Sequence, residues 1–219
     1  MKLKLSIMIF ALSMILASLF MIQPVFASQG NQKILDQSNP FYFIKGFMES
    51  IELKLSKDNN QRIVRYWEFA EARMAEAKSL AGKNRADLIP PALEKYAKQL
   101  DKIAGLINVG DLNFKIMVVN GVGRNINTLI SLQNNVTNPK AHVSIRAALS
   151  RLVDWNLQVL VQLNKETKVN LGSKIKENES ALCNYLITEA SSSALNTTEK
   201  FVITNRAQNC SQNLKLNSF

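Results

Sequence analysis

The chain has 219 residues, of which 27 are lysine or arginine, 17 are acidic and one is histidine. This length allows one sizeable hydrophobic core. Since the chain holds a single histidine and two cysteines, it cannot supply the four nitrogen and sulfur ligands of a structural zinc site. We therefore predict no metal site and no cofactor.

The first 27 residues have the organisation of a secretory signal peptide. Two lysines precede an apolar run at residues 5–22, and Pro24 and the tripeptide V-F-A at 25–27 follow it. A signal peptidase recognises small or branched residues in such a tripeptide, so we predict cleavage after Ala27 and an extracytoplasmic protein, periplasmic or secreted. The alternative is an uncleaved segment that anchors the chain in the membrane, since the run approaches the roughly 20 residues of a span. No stable span is expected after cleavage.

Residues 28–38 are polar and are predicted to form a flexible lead. A helical domain is predicted at residues 39–165. Its first helix is expected to begin with Asn39 as the N-cap and Pro40 at the first helical position, where a missing N–H group has no cost. This helix is expected to end near Ser56.

The second and third helices are predicted to pair with each other. Asp58 or Asn59 is expected to cap the second, which stops at Gly82, and the third covers about residues 87–107. Each has apolar residues at alternating steps of three and four, which place them on one narrow face. The two faces comprise Ile63, Trp67, Ala70, Met74, Ala77 and Ala81 in the second helix and Leu93, Ala97, Leu100, Ala104 and Ile107 in the third. Because the connection is short, we predict an antiparallel helical hairpin.

The next two segments differ in regularity. Apolar residues between 112 and 129 have helical spacing, but Gly121 and Gly123 interrupt them, and each costs about 1 kcal/mol relative to alanine inside a helix. We therefore predict a kinked or broken helix, with a strand as the alternative for its first part. The fifth helix, at about 139–165, carries apolar residues on several faces, which predicts the buried centre of the bundle. Asn156 is the polar residue of its apolar seam, expected to set the register or to be hydrogen-bonded in the core.

Residues 166–219 are predicted to form a C-terminal helical hairpin, with short helices near 182–190 and 200–207. Cys183 and Cys210 lie in these two helices. Two cysteines in an exported chain favour a disulfide bond, and two free thiols are the alternative. The whole chain is thus predicted to be all-α, an antiparallel bundle of about five long helices with a disulfide-closed hairpin at its end.

Candidate catalytic residues are few. His142 lies in the first turn of the fifth helix without a G-x-S-x-G sequence elsewhere, so we predict a surface or capping role for it. Arg73 and Glu76 of the second helix are three residues apart and are expected to form an ion pair on a solvated face. We predict no catalytic residues. The alternative is a carboxylate-based enzyme with Glu68 or Glu71 in a deep cleft.

A segment between Asp111 and Asp154 contains basic residues and no acidic ones. The candidate anion-binding residues within it are Arg124, Lys140, Arg146 and Arg151. If they cluster on one face, they favour a binder of anionic envelope polymer or extracellular DNA; if they are dispersed, they favour an ordinary solvated surface. We do not expect nucleic acid as the partner, because no aromatic residues are interleaved with these basic ones to stack on bases.

Three motifs give the chain a resemblance to a known family. They are N-P-F-Y-F-I-K-G at 39–46, F-A-E-A-R-M-A-E-A at 69–77 and L-E-K-Y at 93–96. The chain resembles an uncharacterised all-helical family of exported bacterial proteins, sometimes joined to anti-sigma-factor modules, over about residues 39–165. The resemblance implies a helical fold and export, without catalytic residues. A histidine often seen in the family is absent here, and the cysteine-containing tail has no counterpart.

These observations predict that the protein is not an enzyme. We expect a non-enzymatic interaction or structural module of the periplasm or cell envelope. Its expected partner is an envelope protein or polymer, because long amphipathic helices offer rigid faces on which a macromolecule can dock.

Overall fold

The structure is a computed structural model that describes residues 42–163, 165–192 and 195–216. These residues form seven α-helices and two short 3-10 helices, without a strand. The α-helices are α1 (Tyr42–Leu55), α2 (Asn59–Gly82), α3 (Ile89–Ala104), α4 (Leu112–Asn135), α5 (Pro139–Gln162), α6 (Lys165–Ala190) and α7 (Thr197–Leu216), and the 3-10 helices are Ala86–Leu88 and Ile107–Val109. The prediction of an all-α fold is confirmed.

The N-terminal predictions fall outside this part of the chain. The signal peptide at 1–27, the lead at 28–38 and the helix start at Asn39 and Pro40 all precede the first described residue. Among the helices that are described, none is both long and apolar enough to cross a membrane.

Hydrogen bonds to the backbone define both ends of α2. The Asp58 carboxylate accepts one from the first turn at 2.8 Å, as an N-cap residue does. At the other end, Gly82, the predicted stop residue, still belongs to the helix. The residue with a left-handed backbone conformation is Asn84, with φ of 55°. The Arg85 N–H donates to the Leu80 carbonyl at 2.9 Å, which is the long bond of a Schellman motif. Asparagine tolerates the left-handed region, so it closes this helix where we expected glycine.

The α2 and α3 helices pack against each other, as the alternating apolar seams predicted. Ala70 and Ala77 of α2 are fully buried, and so are Leu93 and Leu100 of α3. Small side chains in the seam allow two helix axes to approach closely. This pair provides the platform on which α1 lies.

The α4 helix is continuous, so of the predicted kink or break at its two glycines the break is wrong. A Cβ atom at Gly121 would lie 1.9 Å from Cζ2 of Trp67 in α2. One at Gly123 would lie 2.4 Å from Oδ1 of Asn178 in α6, whose Nδ2 donates to the Val119 carbonyl at 3.0 Å. The two glycines therefore allow α2 and α6 to contact the α4 backbone, and this packing offsets their low helix propensity.

A comparison of two glycine substitutions tests this interpretation. Gly121→Ala should destabilise the protein by about 1–3 kcal/mol, because its methyl group overlaps the Trp67 indole. Gly172→Ala in α6 is the matched control, since a Cβ atom there has no heavy atom within 4 Å. The control should stabilise by about 0.5–1 kcal/mol through helix propensity alone. Urea denaturation measures both changes, and equal stabilisation by the two variants would contradict the close contact.

The α5 helix packs against α3, α4 and α6, and it buries Leu149 and Leu152 completely. Trp155 Nε1 donates to the Leu100 carbonyl of α3 at 3.0 Å, which joins the side chain to the neighbouring backbone. Asn156 is also buried, and its Nδ2 has no hydrogen-bond partner within the described ranges. The register role of Asn156 stays a prediction.

The last two helices are longer than the predicted ones near 182–190 and 200–207. The added part of α6 is mostly polar, which concealed a regular stripe of buried residues at steps of three and four. The stripe comprises Thr167, Leu171, Ile175, Asn178, Leu182 and Leu186. It packs against α4 and α5, so contact with the core maintains this helix where composition alone did not predict it.

The predicted disulfide is present between Cys183 of α6 and Cys210 of α7, with Cα atoms 5.5 Å apart. Three polar contacts also join α7 to α5, one of them between Arg206 and Asp154 at 3.2 Å. Arg146 forms an ion pair with Glu199 at 3.1 Å, and Arg206 donates to the Ser150 carbonyl at 3.1 Å. A covalent bond and exposed or half-buried polar contacts therefore attach α7 to the bundle.

Candidate functional site at the first helix

A charged cluster lies between α1 and the α2–α3 pair. At its centre, the buried guanidinium of Arg73 forms ion pairs with Glu49 of α1 and, at 3.1 Å, with Glu76 of its own helix. The Glu76 side chain is completely buried. A buried carboxylate needs a cation or hydrogen-bond donors in place of water, and this cluster supplies both.

Tyr42 connects the cluster to α3. Its hydroxyl donates to Oε2 of Glu76 at 3.1 Å and accepts from Nζ of Lys95 at 3.1 Å. Its ring lies 4.4 Å from Lys95 Nζ and 5.5 Å from the guanidinium carbon of Arg73, within the range of cation–π attraction. Burial raises the pKa of Tyr42 to about 12, so the phenol stays protonated and continues to donate its hydrogen bond.

The cluster holds an excess of cations. Lys45 also lies near the Tyr42 ring, with Nζ 5.8 Å from its centroid. Burial, followed by repulsion from Arg73, lowers the pKa of both Lys45 and Lys95. With Lys45 included, three cationic side chains meet two carboxylates. A cavity of about 310 Å³ opens beside them.

Within the cluster, the polar groups interact mainly with one another. Both carboxylates are paired with Arg73, and Glu76 also accepts the Tyr42 hydroxyl. The Arg73 Nε atom is buried without a hydrogen-bond partner among the described residues. The arrangement fixes the orientation of α1, since Tyr42, Lys45 and Glu49 lie at steps of three and four on its inner side.

The opposite side of α1 is apolar and faces outward. We call Ile44, Phe47, Met48, Ile51 and Leu55 the outer face of α1, because helical spacing places them together. Phe47 is 66% exposed and Leu55 is 71% exposed, while Ile44 and Met48 are each more than 40% exposed. A surface helix normally turns its apolar side to the core. In α1 this orientation is reversed.

The expected ion pair of Arg73 and Glu76 is present, but the prediction that it lies on a solvated face is wrong. Both side chains are buried, because α1 covers them. A sequence signal for this existed in α2. Phe69, Arg73, Glu76 and Leu80 form a second seam at steps of four, three and four, with apolar residues at both ends.

The four candidate anion-binding residues lie on two helices. Arg124 is exposed on α4, and Lys140 is exposed in the first turn of α5. Arg146 forms ion pairs with Glu189 at 3.3 Å and with Glu199, both in the C-terminal helices, and Arg151 pairs with Asp101. These pairings show that two of the four guanidinium or ammonium groups already have carboxylate partners within the chain. Anion binding stays a prediction, with Arg124 and Lys140 as the two exposed members outside these ion pairs.

The remaining catalytic candidates are separate from one another. Glu68 is exposed and pairs with Arg65 at 2.6 Å. Glu71 accepts a hydrogen bond from Asn125 at 3.1 Å, and burial raises the pKa of its carboxyl group. His142 is half-buried on α5, beside a cavity of about 590 Å³. In the part of the chain that the structure covers, no three histidine, cysteine or acidic side chains are grouped so that they could hold a metal ion.

All three sequence motifs contribute side chains to the charged cluster. Residues 38–139 match the family model of a domain of unknown function, DUF5667. The predicted resemblance to an uncharacterised helical family is confirmed. The DUF5667 match covers α1 to α4 and ends at the first residue of α5, so it is shorter than the predicted 39–165. No curated protein and no solved structure matches the chain.

Proposed function

We propose that this chain is a non-enzymatic interaction module of the periplasm or cell envelope, and that it docks through the outer face of α1. The reversed orientation of α1 carries this proposal. Contiguous exposed apolar side chains on a protein surface mark sites of interaction with another molecule. Ile44, Phe47, Met48 and Leu55 have this character, and Ile51 between them is partly exposed.

Energetics explain why α1 does not turn its apolar side inward. Burying the outer face against α2 would remove Glu49 and Tyr42 from Arg73 and Glu76. A buried charge that loses its partner costs about 3–5 kcal/mol. The charged residues of α2 thus determine which side of α1 faces the bundle, and the apolar side remains available to a partner.

Two features support the location. The N-terminal sequence ends in V-F-A at 25–27, behind an apolar run, as secretory signal peptides do. The bond between Cys183 and Cys210 suits an oxidising compartment outside the cytoplasm. The charged cluster supports the non-enzymatic part of the proposal, because its carboxylates form ion pairs with a cation of the same chain.

Site-specific photo-cross-linking in the native host tests the docking surface. Replacing Phe47 with p-benzoylphenylalanine keeps an aromatic side chain on the outer face, and we expect illumination to give a defined adduct. The control position is Val169 of α6, which is 78% exposed but lies outside α1. Adding Leu55→Gln should reduce the adduct from position 47. If positions 47 and 169 give equal yields, the docking surface is misassigned.

A separate observation would contradict the non-enzymatic assignment. Glu71 is the partly buried carboxylate of α2 that lies outside the charged cluster. Turnover of a substrate by the purified protein, abolished by Glu71→Gln without loss of folding, would show that the chain is an enzyme.

A further inference from the structure

We propose that the partner of the outer face of α1 is the surface of an anionic lipid bilayer, on which α1 lies parallel to the membrane plane. This inference rests on the proposed function, because it names the partner of the same face. An interfacial helix buries its apolar side about 5–10 Å into the boundary between head groups and acyl chains. The outer face extends from Ile44 to Leu55, which is roughly 17 Å at 1.5 Å per residue.

Charge complementarity favours anionic lipid. Lys54, at the border of the outer face, and Lys57, just beyond the helix, are both exposed. The acidic residues of α1 point elsewhere, since Glu49 pairs with Arg73 and Glu52 lies 3.8 Å from Arg65. A bilayer below the outer face would therefore meet apolar side chains bordered by lysines. Lysines near an anionic surface strengthen binding through their attraction to the lipid head groups.

The extent of the outer face argues against a second copy of this chain. Its side chains are about half exposed and together present on the order of 500 Å², given about 150–250 Å² for one large aromatic side chain. A stable protein interface buries about 800 Å² on each partner. The net charge of +10 also opposes self-association but favours an anionic surface.

The spacing in sequence between the leader and α1 is short. The apolar run at 5–22 would direct the chain to the bilayer during export, and 41 − 22 = 19 residues separate this run from Tyr42. Even fully extended, 19 residues reach only about 60 Å. Among the described helices, α1 is the one nearest to this run along the chain. Under the alternative in which the leader is not cleaved, α1 is therefore the described helix with the shortest tether to the bilayer.

A position-specific probe on the full chain tests the inference. Phe47→Cys carries a bimane label, whose emission shifts to the blue in an apolar environment, and the disulfide keeps Cys183 and Cys210 from reacting. With vesicles of phosphatidylcholine and phosphatidylglycerol, we expect a blue shift and quenching by lipids spin-labelled near the head group. Val169→Cys with the same label should show neither change. Insertion of the leader alone would bring position 47 near the vesicle without placing its label in an apolar environment, so the blue shift, and not proximity, is the decisive readout.

Charge reversal tests the anionic component. Lys54→Glu with Lys57→Glu should reduce partition of the Phe47 probe into the mixed vesicles by about tenfold or more. Pure phosphatidylcholine vesicles should give a weak signal with either charge state. Equal signals in the two kinds of vesicle, or an unchanged partition after charge reversal, would overturn anionic recognition.

The outcomes separate this inference from the proposed function. If the Phe47 probe stays in water with every vesicle while photo-cross-linking captures a protein from position 47, the lipid inference is wrong and the docking face stands. If the probe stays in water and position 47 gives no more adduct than position 169, both are wrong. Lipid adducts from position 47, together with the blue shift, are the result that we expect.

Discussion

Arg73→Met should lower the free energy of unfolding by about 3–5 kcal/mol. The guanidinium is almost fully buried and pairs with Glu49 and Glu76, and the Glu76 side chain has no exposure to water. Methionine fills a similar volume, so the main effect of the substitution is two carboxylates without their cation. Urea denaturation followed by circular dichroism measures the change.

Two comparison variants make this prediction specific. Arg65→Met removes an exposed ion pair with Glu68 and should cost no more than about 1 kcal/mol. Arg73→Met combined with Glu76→Leu and Glu49→Gln should recover much of the lost stability, because no uncompensated buried charge remains. Equal costs for Arg65→Met and Arg73→Met would contradict the buried cluster. The absence of recovery would show that packing, and not charge, accounts for the loss.

The features that could be predicted from sequence are those that depend on local spacing. The seams of the second and third helices predicted which faces pair, and Ala70, Ala77 and Leu100 are buried as expected. Asp58 predicted the start of α2 because an N-cap acts within one turn. The spacing of Arg73 and Glu76 likewise predicted their contact.

The burial of this pair could not be predicted in the same way. It depends on Tyr42 and Glu49, which lie 34 and 24 residues from their partners in α2. An apolar stripe on α1 suggests the opposite orientation, with that stripe against the bundle. The position of Arg73 under α1 reverses this orientation, because it draws the polar side of α1 toward the bundle. The candidate site was therefore missed because its geometry depends on contacts between helices.

The role of Gly121 could not be predicted from local sequence either. Helix propensity predicted a kink or a break there, since it counts the conformational cost of glycine and not its contacts. The Trp67 ring occupies the space of the missing side chain, and this contact joins residues 54 positions apart. The propensity rule failed at Gly121 because close packing between distant segments requires a glycine there.

Removing the disulfide should have the other large effect. In the chain-entropy model, a crosslink between residues 27 positions apart stabilises the fold by about 3–4 kcal/mol. The described buried side chains of α7 are Ala207 and Cys210, so α7 contributes little apolar burial of its own. We expect Cys183→Ala with Cys210→Ala to release α7 while the rest of the bundle stays folded. Hydrogen exchange should show early loss of protection in α7.

Reductant provides the matched control for this prediction. It should lower the stability of the wild-type protein to that of the double variant and leave the double variant unchanged, because only the bond differs between the two. The Arg146–Glu199 pair and the Arg206 contact with Ser150 remain in both proteins, so they do not contribute to the difference between them. If reductant leaves wild-type stability and α7 protection unaltered, those polar contacts hold α7 in place. Alkylation of both thiols in the exported protein without reduction would show instead that the bond does not form outside the cytoplasm.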